Sequence, residues 1–168
     1  MIIVDVETTG LDPLKHSIIS IGAVDFEKGD EFYTECCAIP GREIDDAALA
    51  INGFTREMCL DTSKKSAVEA YKEFFWWTTD NRSVMLAGQQ VGSFDAKFLQ
   101  HMHQLAGLGQ WPFGHRTLDL HSVAYAKYRK SLNLDGILAE VGLEPEPKPH
   151  NALTGAKLEY LALKILLS

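Results

Sequence analysis

The chain has 168 residues, 46% of them hydrophobic, and its 16 basic and 23 acidic side chains leave a formal net charge of −7. That length and apolar content suit one compact domain over 1–168, and the charge argues against a broad basic face gripping a long phosphate backbone. The apolar stretches are short and interrupted by charge, which excludes a membrane-spanning helix. Met1 running straight into a strand leaves no room for a signal peptide, so the expected location is cytoplasmic. Cys36 and Cys37 are adjacent and Cys59 stands alone, a spacing that fits neither a disulfide framework nor a zinc site.

In chain order, residues 2–6 read as a strand, Thr9 to Pro13 as a loop, Ile18 to Phe26 as a second strand and Glu31 to Ala38 as a third, together a meander. Ile44 to Ile51 reads as a short helix opened by Asp45 and Asp46, and Ser66 to Trp77 as a longer amphipathic one. A fourth strand is expected over Ser83 to Ala87, then apolar residues at helical spacing from Phe94 to Leu105. Thr117 to Leu120 reads as a short strand, and Val123 to Tyr128 and Leu134 to Val141 as helices. The Pro-rich segment Glu144-Pro145-Glu146-Pro147-Lys148-Pro149 leads into a closing Ala/Leu-rich helix from Asn151 to Leu167. Three strands followed by strands alternating with helices predict an α/β fold, a mixed sheet flanked by helices.

The first strand ends in Asp5-Val6-Glu7-Thr8-Thr9-Gly10. Because side chains alternate along a strand, Asp5 and Glu7 share one face. Set among Ile and Val, the pair costs several kcal/mol to desolvate unless a cation holds it, and hard oxygen ligands suit Mg²⁺ or Mn²⁺. Taken alone, D-x-E reads equally as a strand end whose acids face water. Asp95 falls in or near the first turn of the 94–105 helix, where it is either a favourable partner of the helix dipole or a third acid for the same cluster. His150 stands where the Pro-rich approach meets the last helix. An imidazole is a side chain suited to take a proton from water at neutral pH, provided the loop folds over the acids.

On these motifs the chain resembles the DnaQ-like 3′–5′ exonucleases of the DEDD type, histidine subclass, which have a ribonuclease H-like fold with a five-stranded mixed sheet. Asp5-x-Glu7-Thr8-Thr9-Gly10 is similar to the family's first motif and Phe94-Asp95-x-x-Phe98-Leu99 to its second. Asn52-Gly53-Phe54-Thr55 resembles its H-G-I-T turn, Arg116-Thr117-Leu118-Asp119-Leu120 its D-T-L segment, and His150-x-Ala152-Leu153 the start of its third motif, H-x-A-x-x-D. Any one of these is weak, but their order and spacing together are specific. The resemblance implies a phosphodiesterase with two divalent cations, Mg²⁺ or Mn²⁺, that releases mononucleotides from single-stranded DNA or RNA 3′ ends. It implies that Asp5 bridges both ions, Glu7 and Asp95 each support one, and His150 deprotonates the attacking water. Thr8, Thr9, Gly10, Leu11, Asn52 and Phe54 would meet the terminal nucleotide, although Phe54 reads equally as core beneath a turn.

The chain departs from the family at Gly155, where the third motif's final acid belongs. Three explanations stand: Glu159, one helical turn further on, reaches back as a replacement metal ligand; the site works with fewer acids; or the chain is a catalytically impaired nucleic-acid-binding module. Gln89-Gln90 in place of the family's His-Asn retains amide hydrogen bonding. The acidic charge also fits a hydrolase of very short oligonucleotides. His101 and His103 sit at i and i+2 of a helical stretch and diverge too far for a zinc pair. Phe74, Phe75, Trp76 and Trp77 would bury two rings and expose others, a surface suited to a homodimer. No residue identifies a polymerase partner or reads a 2′-hydroxyl.

Overall fold

The computed structural model describes residues 1–81 and 85–168. Five strands form one mixed sheet in the order β3-β2-β1-β4-β5. The first three, β1 (Ile2–Thr8), β2 (Ile18–Asp25) and β3 (Glu31–Glu35), are antiparallel neighbours, the expected meander. Strands β4 (Leu86–Gly88) and β5 (Thr117–Asp119) are added parallel on the other side of β1.

Alternation along β1 divides the interior into two cores. Ile2, Val4 and Val6 face one cluster with Tyr71, Phe74, Phe98, Leu99 and Met102. Ile3 faces the other, with Leu120, Ile137, Leu138 and Leu163. The first belongs to helices α3 (Ala67–Asn81) and α4 (Asp95–Leu105), the second to α5 (Leu120–Tyr128), α6 (Leu134–Glu140) and α7 (Ala152–Leu166). Helices therefore cover both faces, as parallel strands require.

Several boundaries move from the sequence expectation. The third strand stops at Glu35 rather than Ala38, where the chain leaves the sheet and Cys37 makes an isolated bridge to Ser66. The fourth begins at Leu86; Ser83 and Val84 of the expected strand lie outside the described residues. The 117–120 strand ends at Asp119, whose carboxylate accepts the Ser122 N–H, so the following helix begins at Leu120 instead of Val123. Helix α1 (Asp46–Asn52) is capped by Asp45, and the left-handed Gly53 (φ 74°) ends it. One element was not expected: α2 (Arg56–Leu60), a single turn capped by the Thr55 hydroxyl and too short to show a helical repeat.

Of the aromatic run, Phe74 is fully buried while Trp76 is 58% exposed. His101 and His103 diverge as helical geometry demands. His103 is buried between the Tyr71 hydroxyl and the Gln110 carbonyl, whereas His101 meets the Arg42 guanidinium.

Candidate active site

Asp5 lies opposite Gly22 in the β1–β2 register, and this glycine sets the architecture around it. An added Cβ at Gly22 would fall 2.1 Å from the Ala152 carbonyl carbon and 2.2 Å from the Leu153 nitrogen. The first turn of α7 therefore rests directly on the sheet, beside Asp5. Its N-cap, Asn151, accepts the N–H groups of Leu153 and Thr154.

Gly155 faces Asp5 one turn further along. A Cβ there would stand 2.2 Å from Asp5 Oδ2 and 3.3 Å from Glu146 Oε1. Carboxylate oxygens thus occupy the space that a side chain at 155 would take.

Asp95 arrives from the opposite face. Strand β4 pairs with β1 only as far as Ile3, so the Val6 N–H has no strand acceptor; Asp95 Oδ1 takes it at 3.0 Å. This fixes α4 against the end of β1 and points a buried carboxylate to the place where Asp5 and Glu7 emerge.

The loop carrying His150 is anchored twice. The His150 N–H donates to the Ile51 carbonyl at 3.1 Å, and Pro149 lies so close to Gly53 that a Cβ there would be 2.5 Å from it. Further back, the Glu146 N–H donates to Asp135 Oδ1 at the start of α6. The loop thus folds over the acids, the condition on which the role of His150 depended. Its Nδ1 stands 3.4 Å from Glu146 Oε2, and its side chain is 33% exposed.

These elements enclose a cleft of ≈ 470 Å³, in the range of small-molecule sites. Asp5, Glu7, Asp95, Glu146, His150 and Glu159 all line it. Five carboxylates from four segments repel and desolvate one another. Burial first, then Glu159, Asp95, Glu7 and Glu146, raises the Asp5 carboxyl well above its usual range. Burial and Glu146 raise Glu7 to about 7, against an opposing hydrogen bond from Asn52. Burial raises Asp95 to about 7 despite the N–H groups it accepts. Glu159, only 3% exposed, is raised by burial and then by Asp95, although the Gln89 N–H favours its charge.

Two of these oxygens, Glu146 Oε1 and Glu159 Oε2, are buried and accept no hydrogen bond. Among the described residues no three acids or imidazoles yet converge into a cation cage, as expected of like charges facing one another. The donor set nevertheless fits Mg²⁺ or Mn²⁺: hard carboxylate oxygens, buried, with unfilled acceptor capacity and a surplus of negative charge.

The residues expected to meet the terminal nucleotide divide. Thr8, Leu11 and Asn52 line the cleft, Leu11 being 78% exposed. Thr9 is fully buried, its hydroxyl donating to the Glu43 carbonyl. Gly10 lies against the His16 ring. Phe54 packs with Ile19, Ala38, Leu49 and Cys59 in a small core, and so has no free ring face for a base. What sequence reasoning missed is Glu146. The Glu-Pro-Glu-Pro run read as a spacer, yet Glu146 stands four residues before His150 with prolines fixing the backbone around it.

Against known proteins, the RNase_T exonuclease family model matches residues 2–161. The 3′-5′ DNA exonuclease Cap18 of Escherichia coli is 32% identical over 174 residues, covering 97% of this chain and 89% of Cap18. The PolC-type DNA polymerase III of Thermotoga maritima is 33% identical over 162 residues, but the chain spans only 11% of its length. Among solved structures, the nuclease domain of 3′hExo, a DEDDh family member bound to rAMP, superposes with a TM-score of 0.75 at 20% identity, covering 99% of this chain and 90% of that one. E. coli Exonuclease I in complex with a dA16 oligonucleotide gives 0.77 at 16% identity, covering 98% of this chain and 40% of that one. The sheet order, the helices on both faces and these superpositions agree on the ribonuclease H-like fold, and with the sequence match they establish that the chain belongs to the RNase_T exonuclease family.

Proposed function

We propose that the chain is a divalent-cation-dependent 3′–5′ exonuclease releasing mononucleotides from single-stranded DNA or RNA ends. The observation that carries this reading is the convergence of Asp5, Glu7, Asp95 and Glu159 on one cleft beside His150, with buried carboxylate oxygens left unpartnered.

Asp5, Glu7, Asp95 and Glu159 are the residues that would hold two Mg²⁺ or Mn²⁺ ions. Such a pair supplies charge stabilisation on the attacking and departing oxygens of an in-line displacement. The protein's own groups do the rest. His150, at the rim, keeps Nδ1 toward Glu146 and leaves Nε2 to take the proton of the attacking water. Asp95, tied to Val6, and Asp5, on the rigid centre of the sheet, hold their positions without reorganisation. Thr8, Leu11 and Asn52, with the exposed Ile51, offer polar and apolar surface to the last nucleotide.

A second reading, a hydrolase of very short oligonucleotides, is favoured by one observation: among the described residues no lysine or arginine lines the cleft to track a long backbone. A length series from dinucleotides to about 30-mers separates the two, because a short-substrate enzyme loses turnover as length grows.

The test of the main reading is Mn²⁺-dependent release of mononucleotides from 3′-labelled single-stranded DNA and RNA. Native activity is expected to be abolished in Asp5→Ala and to fall by about 10²–10⁴ in His150→Gln. Absence of cation-dependent release on either substrate would leave a binding module of the same fold as the better account.

A further inference from the structure

We infer that Glu146, carried by the Pro-rich loop, supplies the cation-ligating carboxylate that Gly155 cannot, so that this acid position is filled from a different element of the chain. The inference rests on the reading of the cleft as a two-cation exonuclease site.

Four observations place it there. Glu146 Oε1 lies 3.3 Å from where a Cβ of residue 155 would stand, inside the volume that a side chain on α7 would claim. That oxygen is buried and has no hydrogen-bond partner, in a side chain only 6% exposed and lining the cleft. The charge of Glu146 acts on both Asp5 and Glu7, placing it beside the pair that opens the site. Its backbone is fixed by Asp135, and its other oxygen faces His150, so the carboxylate is aimed by built contacts on each side.

Glu159 occupies different ground. Its carboxylate accepts the Gln89 N–H and packs over Gly88, where a Cβ would be 2.7 Å from Oε2, and its charge acts on Asp5 as well as on Asp95. The two glutamates therefore approach Asp5 from different sides. Glu146 falls on the Glu7 and His150 side, and Glu159 on the Asp95 side. Glycine at 155 leaves room for the arrangement, since an added Cβ would press on the ends of the Asp5 and Glu146 side chains, which would then have to turn aside.

The relocation predicts a reversal of sign between two backgrounds. Mn²⁺ binding to the full chain would be followed by titration calorimetry and by the Mn²⁺-induced rise in Tm, for the native protein, Glu146→Gln, Gly155→Asp and the double variant Glu146→Gln/Gly155→Asp. Glu146→Gln is expected to weaken one Mn²⁺ site by about tenfold or more, a loss of the size that removal of a metal-supporting group brings. Gly155→Asp alone should give no tighter binding, because two carboxylates then compete for one position. In the Glu146→Gln background the same aspartate should recover affinity to within about threefold of native.

Unchanged Mn²⁺ affinity in Glu146→Gln would overturn the assignment while leaving the exonuclease reading intact. If activity nevertheless fell in that variant, Glu146 would be a positioning residue for His150 and no ligand. Failure of the double variant to recover affinity, with its metal-free melt equal to that of Glu146→Gln, would also overturn it. Absence of Mn²⁺ binding in the native protein would remove both the assignment and the reading beneath it.

Discussion

Replacing Gly22 by alanine tests the contact that brings α7 to the acids. Gly22 sits in a central strand, and in that setting alanine is ordinarily the better residue by about 0.5–1 kcal/mol, because glycine loses more backbone freedom on folding. Here the sign should reverse. The new methyl would meet the Ala152 carbonyl carbon at 2.1 Å and the Leu153 nitrogen at 2.2 Å, and main-chain atoms cannot rotate away as a side chain would. To reach ordinary contact, the first turn of α7 must lift by about 1 Å or more. That strains a helix that buries Ala152, Ala156, Ala162, Leu163 and Leu166. Overpacking of this kind costs about 1–3 kcal/mol, and in a chain of this length each kcal/mol moves Tm by about 2–4 °C. A fall of about 2–12 °C is expected by differential scanning calorimetry. Because Gly155 lies in this turn and His150 immediately precedes its N-cap, mononucleotide release should fall by about 100-fold, as a displacement of that size does elsewhere. A Tm equal to or above native would refute the close approach of α7 to β2, and with it the account of how His150 reaches Asp5.

Asp5→Asn should abolish release yet stabilise the cation-free protein by about 1 kcal/mol or more, since it removes a buried charge that four other carboxylates oppose; a lower cation-free Tm would contradict this. Glu7 and Asp95 both titrate near about 7 in the folded chain, above the 4.5 and 3.8 of the free groups, so the folded state keeps protons that the unfolded chain has lost. Stability from these groups is full below pH 4 and is lost as pH rises through 7. The rise in Tm on adding Mn²⁺ should accordingly be larger at pH 8 than at pH 5, and a pH-independent rise would count against cation binding by these acids. Tyr71→Phe removes the hydroxyl that meets His103 Nδ1 inside the core and should destabilise by about 1–3 kcal/mol without changing cation affinity, as read by denaturant unfolding and calorimetry.

Much of the site was legible because local rules suffice for it. Asp5 and Glu7 share a face by strand alternation alone, and the onset of helical spacing at Phe94 puts Asp95 in or near the first turn of a helix. The choice between a solvated strand end and a cluster was not legible, since it depends on β4 stopping short and leaving the Val6 N–H for Asp95. Phe54 was open for the same kind of reason: beside a turn, a ring that stacks on a base and a ring that fills a small core look alike until the neighbours Ile19 and Cys59 are in place. Glu159 was one candidate from helical spacing and lies in the cleft, whereas Glu146 was passed over, because a charged residue between prolines reads as spacer until the loop closes on Asp135 and Ile51.

By itself, then, the sequence determined the order of strands and helices apart from α2, the face of β1 that carries the acids, and the approach of His150 to the start of α7, all of which follow from periodicity, capping and proline within a few residues. Tertiary structure decided what occupies the volume left by Gly155, which oxygens remain unpartnered and which side chains are removed from the cleft. Those outcomes depend on approaches so close that an added Cβ would meet its neighbour at 2.1–2.2 Å, between segments more than 100 residues apart, such as Gly22 on Ala152 and Gly155 on Asp5. Local propensity carries no information about such distances, and close packing fixes them only when the whole chain is in place.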